Sequence, residues 1–118
     1  MPYKDFPSTT LAAIEVRSFV RQALGGPSWQ CELVASELVA NVIRHAQTVF
    51  RVEVEVTDRV TITVSDQSTD PVAIDDTMPQ GGLGLRLVDR LSQRWGVRYA
   101  TNGKSVWAEL GLEVLGQY

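Results

Sequence analysis

The sequence carries one cysteine, Cys31, and one histidine, His45. A lone cysteine cannot close an internal disulfide or build a cysteine zinc cluster, and a lone histidine excludes a multi-histidine metal centre. Cys31 is read as a packing residue. A cationic excess is also missing: 11 Lys and Arg stand against 14 Asp and Glu, a formal charge of −3. That balance gives no electrostatic footprint for nucleic acid or an anionic membrane. No apolar run approaches the roughly 18 residues of a membrane-crossing helix, and Met1-Pro2-Tyr3-Lys4-Asp5 has no charged-then-apolar leader pattern. A cytoplasmic protein is expected, with neither nucleic acid nor membrane among its partners. Repeats and low-complexity tracts are absent, and 118 residues suffice for one core but not comfortably for two. The chain is read as one domain, residues 1–118.

What is present is periodicity. From about Thr9 to Leu24, Ala12, Ala13, Val16, Phe19, Val20, Ala23 and Leu24 recur at helical spacing, with Arg17 and Arg21 on the other side. Gly25-Gly26 ends this helix, and Ser28 is a suitable N-cap for a second helix running to about Ala46. The period then falls to two. Val52, Val54 and Val56 alternate with charged residues, and Val60, Ile62 and Val64 alternate with Thr61, Thr63 and Ser65, which predicts a hairpin turning at Thr57-Asp58-Arg59. Asp66 to Gly82 has no sustained period, a length of connection usually tied to function. A third helix follows, with Leu83, Leu87, Val88 and Leu91 inward. Strands over about Gly96 to Ala100 and Lys104 to Leu110 close the chain around a Thr101-Asn102-Gly103 turn. Helices grouped with adjacent hairpins argue for an α+β fold: a two-layer sandwich, one mixed and mostly antiparallel sheet with about three helices on one face.

The second helix is apolar over most of its circumference, yet Glu37, Asn41 and His45 stand four residues apart along it. A carboxylate and an amide projecting together from a buried helix are either a solvated strip with a local hydrogen bond or a cavity for a hard cation such as Mg²⁺. His45 reads as a helix-end or packing residue. Gly81-Gly82-Leu83-Gly84-Leu85 stands where the long connection meets the third helix. Its glycines either make a hinge or let backbone amides approach an anion at the helix N-terminus. The spacing is neither that of a Walker A loop nor that of a dinucleotide fingerprint.

Four features fall in order: Glu37-Leu38-Val39-Ala40-Asn41 on a helix, Val64-Ser65-Asp66 at a strand end, Gly81-Gly82-Leu83-Gly84-Leu85, and Gly103-Lys104-Ser105-Val106-Trp107. This order, spanning about Thr10 to Leu110, resembles the GHKL (Bergerat-fold) ATPases, and within them the anti-sigma-factor serine kinases and related small ATP-binding regulators of actinobacterial type. The resemblance implies ATP and Mg²⁺ as cofactors. It gives Glu37 the role of general base towards a protein serine, Asn41 that of Mg²⁺ ligand, and Asp66 that of acceptor for the adenine amino group. Gly82 and Gly84 would offer amides to the phosphates, and the Ser105 hydroxyl would lie near adenine. Partners implied are a sigma factor, an anti-anti-sigma (STAS-type) protein, or both, with a homodimer possible. The chain departs from the family pattern at Ser68, where relatives have glycine, at Leu83, where many have arginine, and in the short lid from Gln67 to Gln80. Glu37 favours a protein serine/threonine kinase; Ser68 and the short lid favour a non-catalytic regulator that sequesters a protein. A histidine autokinase is not expected, since no phosphoacceptor helix accompanies the motifs.

Overall fold

The structure, a computed structural model, describes residues 1–69 and 82–118. The stretch 70–81, which holds most of the expected lid and Gly81, lies outside the described residues, as does the side chain of Leu83.

The period-two segments form strands that pair into one sheet. In chain order these are β1 (Tyr3–Phe6), β2 (Phe50–Val56), β3 (Val60–Asp66), β4 (Arg94–Ala100) and β5 (Gly103–Leu110). They lie in the spatial order β1-β2-β3-β5-β4, and every pairing among them is antiparallel. Alternation sorts the two faces. Val52, Val54, Val60, Ile62, Val64, Val106, Ala108 and Leu110 are buried on the inner face, while Thr61, Thr63, Ser65, Ser105, Trp107 and Glu109 point the other way. Val56 keeps the parity of its strand but is 47% exposed, because it sits at the hairpin tip beyond the cover of the helices.

Three helices supply that cover: α1 (Thr10–Leu24), α2 (Trp29–Asn41) and α3 (Gly82–Leu91). Thr9 caps α1 by accepting from the Ala12 amide, and Gly25 ends it in the left-handed conformation at φ 74°. Ser28 caps α2 through the Cys31 amide, and the carboxylate of Glu32 accepts from the Ser28 amide in return. Glu32 also meets Arg21 at 3.4 Å, which ties the end of α1 to the start of α2. α2 lies over β3 and β5 with α1 and α3 on either side. This central position is why its apolar residues surround it: Cys31, Val34, Ala35, Leu38 and Val39 are all buried. Desolvation pushes the Cys31 thiol up from its ordinary pKa, in keeping with a packing role. In α3 the inward positions are Leu85 and Val88, with Leu91 packed beside them, while Leu87 is half-buried. Among the described residues no helix is long and apolar enough to cross a membrane.

The sequence pattern did not show β1. Of its four residues only Phe6 is buried, stacked on Phe50 with ring centroids 5.6 Å apart, so it is an edge strand without alternation.

The β4–β5 turn is held against the end of β3 by Gly103. A Cβ on Gly103 would stand 2.1 Å from the backbone oxygen of Asp66, so the chains approach this closely only because that atom is absent. Gly103→Ala is therefore expected to cost about 1–3 kcal/mol, as overpacking does, and to lower the melting temperature followed by circular dichroism. Gly26→Ala, where a Cβ meets nothing within 4 Å, is the control expected to leave it unchanged.

Candidate functional site

The residues singled out by sequence belong to elements that end on the same side of the sandwich. β3 ends at Asp66, which faces Lys104 at the start of β5, and Gly103 faces Ala100 at the end of β4. α2 starts at the other side, where Ser28 bridges Gln117 in the segment following β5. It runs back towards Asp66, and the loop after it closes on β3 where Thr48 Oγ1 accepts from the Gln67 amide at 3.0 Å. The end of α3 is fixed at the other side too, because the Gln93 amide donates to the Glu109 carbonyl. Its 10 residues rise about 1.5 Å each and bring its N-terminus, with Gly82 and Gly84, to the Asp66 side.

Glu37 and Asn41 lie one helical turn apart on α2 and both are half-buried. The α-helix stops at Asn41. Val42–Ala46 continue as a π-turn, in which the Gln47 amide reaches back five residues to the Val42 carbonyl at 2.9 Å, and Gln47 closes it at φ 56°. A five-residue hydrogen-bonded turn breaks the four-residue stripe on which His45 was aligned with Asn41. His45 is accordingly exposed while Asn41 is not.

The acceptor expected to read a base, Asp66, has a side chain only 1% exposed. Its Oδ1 accepts from the Ser68 amide at 2.8 Å and from Lys104 Nζ at 3.1 Å. Ser68 thus serves through its backbone, closing a short turn around the carboxylate. Lys104 was not among the residues anticipated, and its side chain is 6% exposed. Ser105 does not join the group. It lies on the outer face, where its hydroxyl and that of Ser65 share a hydrogen bond at 2.8 Å. The reason is strand parity: with Val106, Ala108 and Leu110 inward, Lys104 must be inward and Ser105 outward. That signal was present in the sequence.

These residues suit a nucleotide in three respects. Glycines in the first turn of α3 leave amides open to phosphate oxygens. The Asn41 amide oxygen is of the type Mg²⁺ takes together with phosphates and water; among the described residues no three His, Cys, Asp or Glu side chains group as a cation cage. Asp66 offers a buried acceptor, already shared with an ammonium.

A family model described as the histidine kinase-like ATPase domain matches residues 6–110, a span that includes every residue of this group. No curated protein matches the chain.

The buried pair gives a direct test of the geometry. Removing one partner of a buried ion pair leaves the other charge without compensation, at a cost of about 3–5 kcal/mol. Lys104→Met is expected to lose that much in urea unfolding, and the double variant Asp66→Asn, Lys104→Met to regain most of it. Additive losses would show that the two side chains do not interact.

Proposed function

The chain belongs to the histidine kinase-like ATPase domain family, which implies ATP binding, and from that premise we propose that it is a regulatory protein serine/threonine kinase of the anti-sigma type. Its protein substrate would be an anti-anti-sigma (STAS-type) partner, and the protein it holds would be a sigma factor. The observation that carries this reading is Glu37: a carboxylate, half-buried, one turn before Asn41 on the central helix, whose Cys31, Val34, Ala35, Leu38 and Val39 are in the core. Binding nucleotide calls for the amide; a second polar group beside it is explained by proton transfer.

The roles follow from chemistry. The first turn of α3 would receive phosphate oxygens on backbone amides, where the helix dipole also favours negative charge. Asn41 would hold Mg²⁺ through its amide oxygen, and the ion when bound supplies positive charge to the phosphates. Asp66 and Lys104 would meet the base. Glu37 would accept the proton of the serine hydroxyl as that oxygen bonds the γ-phosphorus and the bond to the β-phosphate oxygen breaks, with ADP as leaving group. Placing the hydroxyl in line is the protein's largest contribution in such a reaction, since little covalent chemistry falls to side chains.

A second reading, a non-catalytic regulator that sequesters its partner, is favoured by Asp66, whose acceptor is already held by Lys104. Turnover separates the two.

Magnesium ATP at a hundredfold excess over its Kd is expected to stabilise the protein by about 2.7 kcal/mol, read as a rise in melting temperature that Asn41→Ala abolishes. Glu37→Gln is expected to keep that rise and to lose about 10²- to 10⁴-fold in γ-phosphate transfer to a STAS-type partner. Absence of any rise with millimolar nucleotide would overturn the nucleotide reading. Transfer undiminished in Glu37→Gln would overturn the role of Glu37, and binding without transfer in the unaltered protein would leave the sequestering regulator.

A further inference from the structure

The inner faces of β3 and β5 are apolar at every rung but the last. Val60, Ile62 and Val64 meet Leu110, Ala108 and Val106, and then Asp66 meets Lys104. A buried ion pair is a poor way to hold two strands, because apolar residues of similar volume serve as well or better. Its place is informative: it stands at the end of the sandwich to which Asn41 and the start of α3 also come, so the polar rung belongs to the site.

The chemistry of the pair differs from that of a carboxylate alone. A lone carboxylate only accepts hydrogen bonds. It welcomes the amino group of adenine and repels the O6 carbonyl of guanine, which is how such an acceptor selects adenine. Lys104 adds an ammonium with three protons, and among the described residues its one partner is Asp66 Oδ1. The pair therefore presents an acceptor and a donor side by side. Adenine offers N6–H as donor beside N1 as acceptor. Guanine offers N1–H as donor beside O6 as acceptor. Both edges match, each in its own orientation.

We propose that Lys104 is the specificity-determining residue for the base, and that through it the site takes guanine as well as adenine nucleotides. The proposal rests on the nucleotide reading above and deepens it. The ammonium also neutralises the buried carboxylate, so the base end of the site contributes little selective attraction and the phosphate end carries most of the affinity. Any base with a donor next to an acceptor on this edge is admitted on equal terms.

The test compares Mg²⁺-ATP with Mg²⁺-GTP by calorimetric titration on the intact chain, its Lys104→Thr variant and its Lys104→Arg variant, each checked for folding by circular dichroism. For the intact chain the two Kd values are expected to agree within about threefold, and Lys104→Thr is expected to shift the ratio towards ATP by about tenfold or more, the scale of one charge-assisted hydrogen bond. Lys104→Arg, which keeps a charged donor, is expected to hold the ratio of the intact chain. If the intact chain prefers ATP by more than threefold, the proposal is overturned while nucleotide binding stands, and this arm needs no variant to fold. A shift of less than tenfold in a folded Lys104→Thr protein overturns it likewise. If the intact chain binds neither nucleotide, the nucleotide reading itself falls, and this inference falls with it.

Discussion

The register between β3 and β5 is the constraint on which the remaining geometry depends. Seven consecutive rungs pair Val60 with Leu110 through to Asp66 with Lys104. Because side chains alternate, one register decides at once which residues enter the core and which polar residues stand at its end. A slip of β5 by a single residue would turn Val106 and Ala108 outward and bring Ser105 and Trp107 inward against an unchanged β3. The apolar rungs thus hold the polar one in place: Asp66 and Lys104 can be buried together because six neighbours on the same face have no other arrangement that removes them from water. Gly103 adds a steric condition at the same rung, since only a residue without a side chain lets the turn lie against the Asp66 carbonyl.

Most of this was legible where burial is one-sided and continuous. The hairpin of β2 and β3 and the existence of the third helix follow from period alone, because half-buried elements advertise their inner face, and the last pair of strands follows from its turn. Asp66 stands out in the sequence by its place in an ordered set of motifs, and its burial at a strand end follows from parity. The features that the sequence pattern hides are hidden for physical reasons. β1 contributes only Phe6 to the core, so its sequence carries no alternation to detect. Leu85 rather than Leu87 turns inward on α3, a phase error of the kind that a short helix rich in leucine invites. Lys104 stands beside a hydroxyl that fits the motif better by type, but strand parity places the lysine beside Asp66 and the serine on the far face. The π-turn could not be read at all, since the stripe through Glu37, Asn41 and His45 presumes an unbroken α-helix.

Two carboxylates with different surroundings stand on the site's side of the molecule. Asp66 is enclosed, with its Oδ1 taken by a backbone amide and an ammonium. Glu37 is half-buried on the central helix. Recognition of a ligand's edge suits the first, because a fixed acceptor with fixed neighbours discriminates by geometry. The proton transfer proposed above is assigned to the second, which is only partly enclosed. The outer face of the sheet is built by other rules. Arg51 meets Asp5 at 2.7 Å in an exposed pair that adds little stability, and Arg59 meets Glu109 at 2.8 Å in a partly buried one.

The π-turn has one further consequence. A wider turn inserts a phase step into the helix, so side chains before Val42 and side chains after it answer to different surroundings. Before it, Cys31, Val34, Ala35, Leu38 and Val39 are bound to the three-helix packing, and a change there is felt in the core. Beyond it, Arg44 and His45 face outward on a segment whose angular setting is no longer inherited from α2. The helix in effect works as two coupled parts, and the second keeps Val42 in the core with Ile43 and Ala46 packed against it while it turns Arg44 and His45 to the surface.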